Sequence, residues 1–256
     1  MNFQKELKEH FATGHKKYLR HISIDCLIFG FHNNELKVLS LKAKYAGKWA
    51  LPGGFVLKDE HLDESAKRIL MERTGLEKIY LQQFYTFGHP LRSTKEINQK
   101  FLKNTGIRNE HSWMFERFIS IGYYALVDFT KVTPVPDNIS DACEWWSIHD
   151  IPEMILDHNL ILKKGLEHLR LQLNFQPIGY NLLQQKFTMP ELQKLYETIL
   201  DKKLDRRNFQ RKMLGTGILK RLNETKKGVA HKAPYYYKFD RRKYAKALKA
   251  GMNFEL

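Results

Sequence analysis

Residues 206–212 read Arg-Arg-Asn-Phe-Gln-Arg-Lys, a set of side chains able to read and grip a nucleic-acid duplex. Arginine can donate a bidentate pair to guanine, asparagine or glutamine can pair with adenine, and lysine or further arginine holds phosphate. For that chemistry the side chains must share a helix face. Asp205 is a good N-cap and Gly215 a stop signal, so a short helix is predicted between them. Phe209 and Met213, four residues apart, can face a neighbouring helix. That leaves Arg206, Arg207, Gln210 and Arg211 on or near the outer face, with Asn208 and Lys212 on its flanks.

The element that must position this helix precedes it. Thr188-Met-Pro-Glu191 has the form of a capping box with proline near the first turn. Leu192, Leu195, Tyr196, Ile199 and Leu200 follow at the spacing of an amphipathic helix. After the basic helix, residues 218–224 and 234–239 read as two strands joined by residues 225–233, which carry Lys226, Lys227 and Lys232. A helix-turn-helix followed by a basic hairpin is a winged helix. A charged, solvated face is the ordinary explanation of such a run taken alone; the cap, the amphipathic helix and the hairpin favour DNA.

Charge placement points the same way. Lys+Arg number 43 against 28 Asp+Glu, a formal charge of +15, and residues 1–154 and 155–256 carry +2 and +13 of it. Such an excess raises the prior for a polyanion partner, though a solvated surface is the bland alternative. A 43% hydrophobic content excludes a disordered polymer. Two distant cysteines, Cys26 and Cys143, argue against a disulfide framework or a cysteine zinc site, and the scattered histidines offer no metal-ligand spacing. The absence of a long apolar run predicts a cytoplasmic protein without a membrane partner.

The first half mixes elements. Ile22, Ile24, Cys26 and Ile28 alternate along a strand over residues 21–31, Asn33-Asn34 marks a turn, and a strand resumes over residues 35–41. Cys26 in that apolar row reads as a buried structural thiol. Residues 49–56 end a strand in a glycine turn at Gly53-Gly54, and residues 62–74 read as a helix closed by Gly75. Strands are predicted over residues 79–87, 118–127 and 142–146, which makes this an α+β domain. Residues 92–116 form a polar insertion without period, read as a tolerated surface insertion or a ligand lid. Asp157 can cap a helix running to about Leu173, interrupted by Gln176-Pro-Ile-Gly179.

Gly54, Glu60, Arg68, Leu70, Glu72, Gly75 and Leu76 match in register the box G-x5-E-x7-R-E-U-x-E-E-x-G-U, in which U is bulky and apolar. The chain therefore resembles the Nudix family, which implies a glycine loop and helix forming part of a diphosphate-binding cleft. A Nudix hydrolase needs helix carboxylates at i, i+3 and i+4 to hold Mg²⁺ against the substrate. Those positions are Ile69, Glu72 and Arg73 here. One acid remains, one is apolar and one is a cation that repels the metal, so catalysis, catalytic residues, a metal site and a cofactor are not expected. Ile69 reads as core. Arg73 either pairs with a carboxylate such as Glu72 or binds an anionic or polyhydroxylated ligand directly.

Together the halves resemble Nudix-related transcriptional regulators, in which a Nudix-like sensor precedes a winged helix. Residues 187–196 and 204–212 look like that family's signature, and residues 177–183 like its interdomain segment. The expected layout is an N-terminal extension (1–17), a mixed-sheet sensor (18–155), a connecting helix and interdomain segment (156–183), a winged helix (184–240) and a basic tail (241–256). The resemblance implies a homodimer on operator DNA that responds to a small-molecule effector at Gly53, Gly54, Glu60, Arg68, Glu72, Arg73 and Arg92. Phe87-Gly-His-Pro-Leu-Arg92 begins like the ADP-ribose-type run of the family but lacks its Asp. A sugar or sugar phosphate is therefore placed ahead of an ADP-ribose-like effector, by resemblance to the sugar-responsive branch. The rivals are a Nudix hydrolase cleaving a nucleoside diphosphate derivative such as ADP-ribose, and a non-specific nucleic-acid binder.

Overall fold

The computed structural model describes residues 3–44, 46–77, 79–92, 99, 102–104, 113–137, 139–228 and 233–251. They divide into two compact units, one of residues 1–29, 37–125 and 131–165, the other of residues 30–36, 126–130 and 166–256.

The first unit contains most of a seven-stranded sheet. Its path runs β3 (Trp49–Ala50), β2 (Glu35–Ala43), β1 (Tyr18–His32), β6 (Ile119–Val127) and β5 (Tyr80–Phe87), with β4 (Gly53–Leu57) paired to β1 and β7 (Ser140–Ser147) paired to β2. β1 and β2 are joined by Asn33 and Asn34, with φ of 52° and 63°, the left-handed pair that a two-residue hairpin turn requires and that asparagine tolerates. The predicted alternation along β1 is incomplete. Leu27 and Phe29 are as fully buried as Ile24, Cys26 and Ile28, because β1 lies inside the sheet and is covered on both faces, where strands read as continuous apolar runs. Both cysteines are free, and burial pushes the Cys26 thiol far up.

Two helices of this unit bear on the site. Helix α2 (Leu62–Thr74) has the predicted bounds; Gly75 closes it at φ 71° and donates its N–H to the Met71 carbonyl. The N-terminal extension is helix α1 (Phe3–Lys17). Its Phe11 packs on Leu102, Met114 and Phe115, and Trp113 and Phe115 belong to a short 3-10 turn at the end of the predicted insertion. The insertion thus contributes apolar anchors that a period search over its charged residues does not reveal. Most of it, residues 93–98, 100–101 and 105–112, lies outside the described residues. Helix α3 (His158–Gln172) follows the sheet.

The second unit holds helix α4 (Met189–Leu200) and helix α5 (Arg206–Gly215), then strands β9 (Leu219–Thr225) and β10 (Tyr235–Phe239). Thr188 caps α4 by accepting from the Glu191 N–H, while Glu191 accepts from the Thr188 N–H at 2.7 Å, the reciprocal box its sequence predicts. A strand that the sequence reading missed, β8 (Phe187–Thr188), pairs with β10 and completes a sheet in the order β8-β10-β9. Two residues are too few to display a period. Leu192, Leu195, Tyr196 and Ile199 of α4 meet Phe209 and Met213 of α5 in the core, with the Tyr196 and Phe209 rings edge-on at 5.4 Å. The predicted C-terminal tail is instead largely helix α6 (Arg241–Ala250), capped by Asp240. Its buried Tyr244 lies 4.7 Å from Tyr180 and 5.5 Å from Phe239 between ring centroids, the one aromatic residue in a run of cations, alanines and one leucine.

Candidate functional site

In the first unit the glycine segment is a strand, and steric room dictates its residues. Gly53 and Gly54 pair with Asp25 and Ile24. A Cβ on Gly53 would sit 2.8 Å from both the Asp25 carboxylate and the Ile24 carbonyl, and one on Gly54 would sit 3.1 Å from Ile69. Ile69 is 1% exposed and belongs to the packing between α2 and this strand.

Glu60 and Arg68 are joined by two parallel bonds. Arg68 donates from Nε to Oε1 at 2.9 Å and from Nη2 to Oε2 at 2.8 Å, and Nη2 also donates to the Phe55 carbonyl at 3.0 Å. The Ser65 hydroxyl and the Leu57 N–H complete the carboxylate's partners. The pair ties β4, its following turn and α2 together. Glu72 is exposed, 3.8 Å from Arg68 and 3.9 Å from Arg73. Arg73 points inward, 3.0 Å from Asp137 with its side chain 11% exposed, so its first partner is a residue the sequence reading did not name.

The hydrogen bonds from Arg68, ahead of those from Ser65 and Leu57, hold the Glu60 carboxyl at about 2 against an ordinary 4.5. A depressed acid stabilises the fold above its unfolded pKa and loses that contribution as pH falls through the folded value. Between about pH 5 and pH 2 the wild type should therefore lose about 2 kcal/mol more than Glu60→Gln, the linkage value being reduced for the partial exposure of Arg68. Urea melts of both across that range test this; parallel curves would refute it.

Arg92 is 7% exposed and sits among acids. Its Nη1 donates to the Phe87 carbonyl at 3.1 Å, Nη2 lies 3.4 Å from Asp25, and Nε lies 2.7 Å from Asp157. Ser120 donates to Asp25. The Leu51 N–H donates to Nδ1 of buried His158 at 2.8 Å, which leaves the proton on Nε2, 3.6 Å from Asp25. Burial is the main cause that lowers the His158 pKa, against the pull of Asp25 and Asp157. Asp25 also lies against Gly53, so the cluster reaches the glycine strand.

In the second unit, Arg206, Arg207 and Arg211 on α5 are exposed, while Asn208, Gln210 and Lys212 are half-buried. Asp205 accepts from the Asn208 N–H at 2.8 Å, and the Asn208 side-chain oxygen accepts from Arg211 at 2.8 Å. On the hairpin Lys226 donates to Glu191 at 2.7 Å, a bond that raises its pKa, and Lys227 is exposed. Lys232 lies outside the described residues. Arg221, not singled out from sequence, lies over the Tyr235 ring at 4.7 Å, a cation–π contact on the same hairpin.

A family model described as the NUDIX domain matches residues 19–169, more than half of the 256-residue chain. The chain belongs to the Nudix family. A second model, the NrtR DNA-binding winged helix domain, matches residues 179–239, and the two in this order make a Nudix-related transcription regulator. A relative from Acinetobacter baylyi, named "ADPR responsive transcriptional repressor NtrR", is 28% identical over 220 residues, 83% of this chain and 79% of the relative. The fold is shared with Shewanella oneidensis NrtR at a TM-score of 0.71 and 23% identity, covering 92% of this chain and 99% of that one. The Shewanella NrtR structure with a 27mer DNA gives 0.70 and 22%, covering 88% and 96%. A MutT/nudix family protein from Enterococcus faecalis gives 0.64 and 18%, covering 92% and 98%.

Within this Nudix unit, Asp25, Ser120, Asp137 and His158 escaped the sequence reading, and Asp157 was read only as a helix cap. Asp25 left one signal, an acid inside an apolar strand, which must find a counter-charge once buried. Among the described residues no group of three or more His, Cys, Asp or Glu is placed to hold a metal ion, and no helix is long and apolar enough to cross a membrane.

Proposed function

We propose that this chain is a ligand-responsive, sequence-specific DNA-binding transcription regulator whose Nudix unit senses a metabolite and does not cleave it. The observation that carries the reading is the pairing of a winged-helix unit presenting Arg206, Arg207 and Arg211 with a Nudix helix altered at two metal positions. Ile69 is packed beneath Gly54 and Arg73 is held by Asp137. Mg²⁺ needs hard oxygen ligands in octahedral geometry. A buried aliphatic and a fixed cation do not supply them, so these two positions offer no ligands for a hydrolytic metal. The protein works in the cytoplasm as a homodimer, its two winged helices meeting two half-sites.

The name of the Acinetobacter relative reverses the order of effectors set by the missing Asp: an ADP-ribose-like molecule is proposed first, a sugar or sugar phosphate second. The effector acts by its differential affinity for two arrangements of the protein. In a thermal-shift assay of the full chain, ADP-ribose at 100 times its dissociation constant should add about 2.7 kcal/mol of stability, with pentoses and their phosphates as comparison. Incubation with Mg²⁺ or Mn²⁺ should leave the ADP-ribose intact. Turnover at ordinary enzyme rates, abolished by Glu72→Ala, would overturn the sensor reading.

A further inference from the structure

Helix α6 begins beyond residue 239, where the match to the winged-helix model ends. Its sequence, Arg-Arg-Lys-Tyr-Ala-Lys-Ala-Leu-Lys-Ala, contains five cations and no acid, and all five are exposed. At about 100° per residue, Arg242, Lys246 and Lys249 fall in one narrow stripe on the side opposite Tyr244, the residue that anchors the helix to Tyr180 and Phe239. The helix is thus fixed by one face and presents a row of positive charge on the other.

That row works against the helix's own stability. Arg242 with Lys246, and Lys246 with Lys249, are like-charged neighbours at i+4 and i+3, which destabilise a helix. Arg241 and Arg242 stand in its first turn, at the positive end of the macrodipole. No carboxylate within α6 relieves them, and Asp240 is engaged by Lys220 at 3.1 Å and by the N–H groups of Arg242 and Lys243. A polyanion would relieve all of these repulsions together. The start of α6 adjoins the turn that follows α5: the Asp240 N–H donates to the Ile218 carbonyl at 2.7 Å, and Lys243 Nζ lies 3.8 Å from where a Cβ on Gly217 would stand.

We infer that α6 is a second DNA-backbone contact, in which Arg242, Lys246 and Lys249 bind neighbouring phosphates of the duplex whose groove α5 enters. The inference rests on the DNA-binding reading above. The stripe spans about 10 Å at 1.5 Å per residue, about the axial rise of three nucleotide steps at about 3.4 Å each, so its three cations fall within a run of four phosphates on one strand. Phosphate contacts carry no sequence information, so α6 adds affinity and salt sensitivity while α5 sets the preferred sequence.

The test uses the full chain, a mixed-sequence 30-base-pair duplex (about three helical turns) and fluorescence anisotropy over about 50 to 200 mM salt. Arg242→Ala/Lys246→Ala/Lys249→Ala should flatten the slope of log K against log salt by about 2.7, and lower affinity on the order of 10²-fold near 0.15 M salt. The single variant Lys246→Glu, which leaves Tyr244 and the Asp240 cap in place, should flatten it by at least about 0.9. Arg207→Ala/Arg211→Ala on α5 is the reference. Wild-type slopes in both α6 variants, with a reduced slope in the α5 variant, would overturn the α6 contact and leave the regulator reading standing. A wild-type chain that binds no duplex would sink both.

Discussion

Replacing Arg92 with methionine is expected to lower the free energy of unfolding by about 3–5 kcal/mol, the usual cost of stranding a buried charge partner. Arg92 is the cation set between Asp25 and Asp157, with its side chain 6% exposed against 9% and 17% for the two acids. His158 cannot take its place without gaining a proton that burial opposes. Methionine keeps most of the volume but none of the charge, so two carboxylates face each other across a low-dielectric interior. Urea denaturation at neutral pH measures the loss. A deficit below about 1 kcal/mol would mean that Arg92 is not their counter-charge.

The double variant Arg207→Ala/Arg211→Ala is expected to lose about 2–6 kcal/mol of operator affinity if each side chain reads a base, at about 1–3 kcal/mol apiece. Neither residue contributes to the core of the winged helix, which is closed by Phe209 and Met213 at 2% and 0% exposure. Thermal unfolding should therefore stay near wild type. Arg211 also braces Asn208, so its removal frees an amide on the same face and the two losses need not add. Binding to a duplex selected from a random library, compared with an unselected one at fixed salt, separates base reading from phosphate contact. Equal losses on both duplexes would assign the arginines to the backbone. No loss on either would remove α5 as the recognition helix.

The winged helix was legible because its signals are local. The Thr188–Glu191 box, the spacing from Leu192 to Leu200, the Asp205 cap and the pair Phe209 and Met213 each act within four residues, and each is found in place. The same holds for α2, bounded by Gly75, and for the Asn33-Asn34 hairpin. What failed was short or lacked repetition. β8 is two residues long, α6 reads as a charged tail until Tyr244 is seen docked, and the start of the insertion places its arginine inside the unit.

In the first unit the box residues were readable and most of their partners were not. Spacing set Gly54, Glu60, Arg68 and Glu72 in register, and the geometry joins Glu60 to Arg68. Arg73 was open between pairing and ligand binding, and Asp137, 64 positions away, is what occupies it. Arg92 meets Asp25 from 67 positions away. Nothing in the neighbourhood of either arginine predicts those encounters, because which acid meets which base is set by the sheet's strand order.

The sequence by itself determined the two-part composition of this protein, the helix periods, the caps and turns, and the substitution of Ile69 and Arg73 at positions where a Nudix hydrolase carries acids. Those follow from chain neighbours, whose geometry the backbone fixes. Only the tertiary structure decided which charges are spent internally and which face outward. Arg68, Arg73 and Arg92 are engaged by Glu60, Asp137, Asp25 and Asp157, whereas Arg206, Arg207 and the α6 cations stand in solvent. The physical reason is desolvation: a buried charge requires a partner, and the fold supplies it from wherever in the chain the packing brings one.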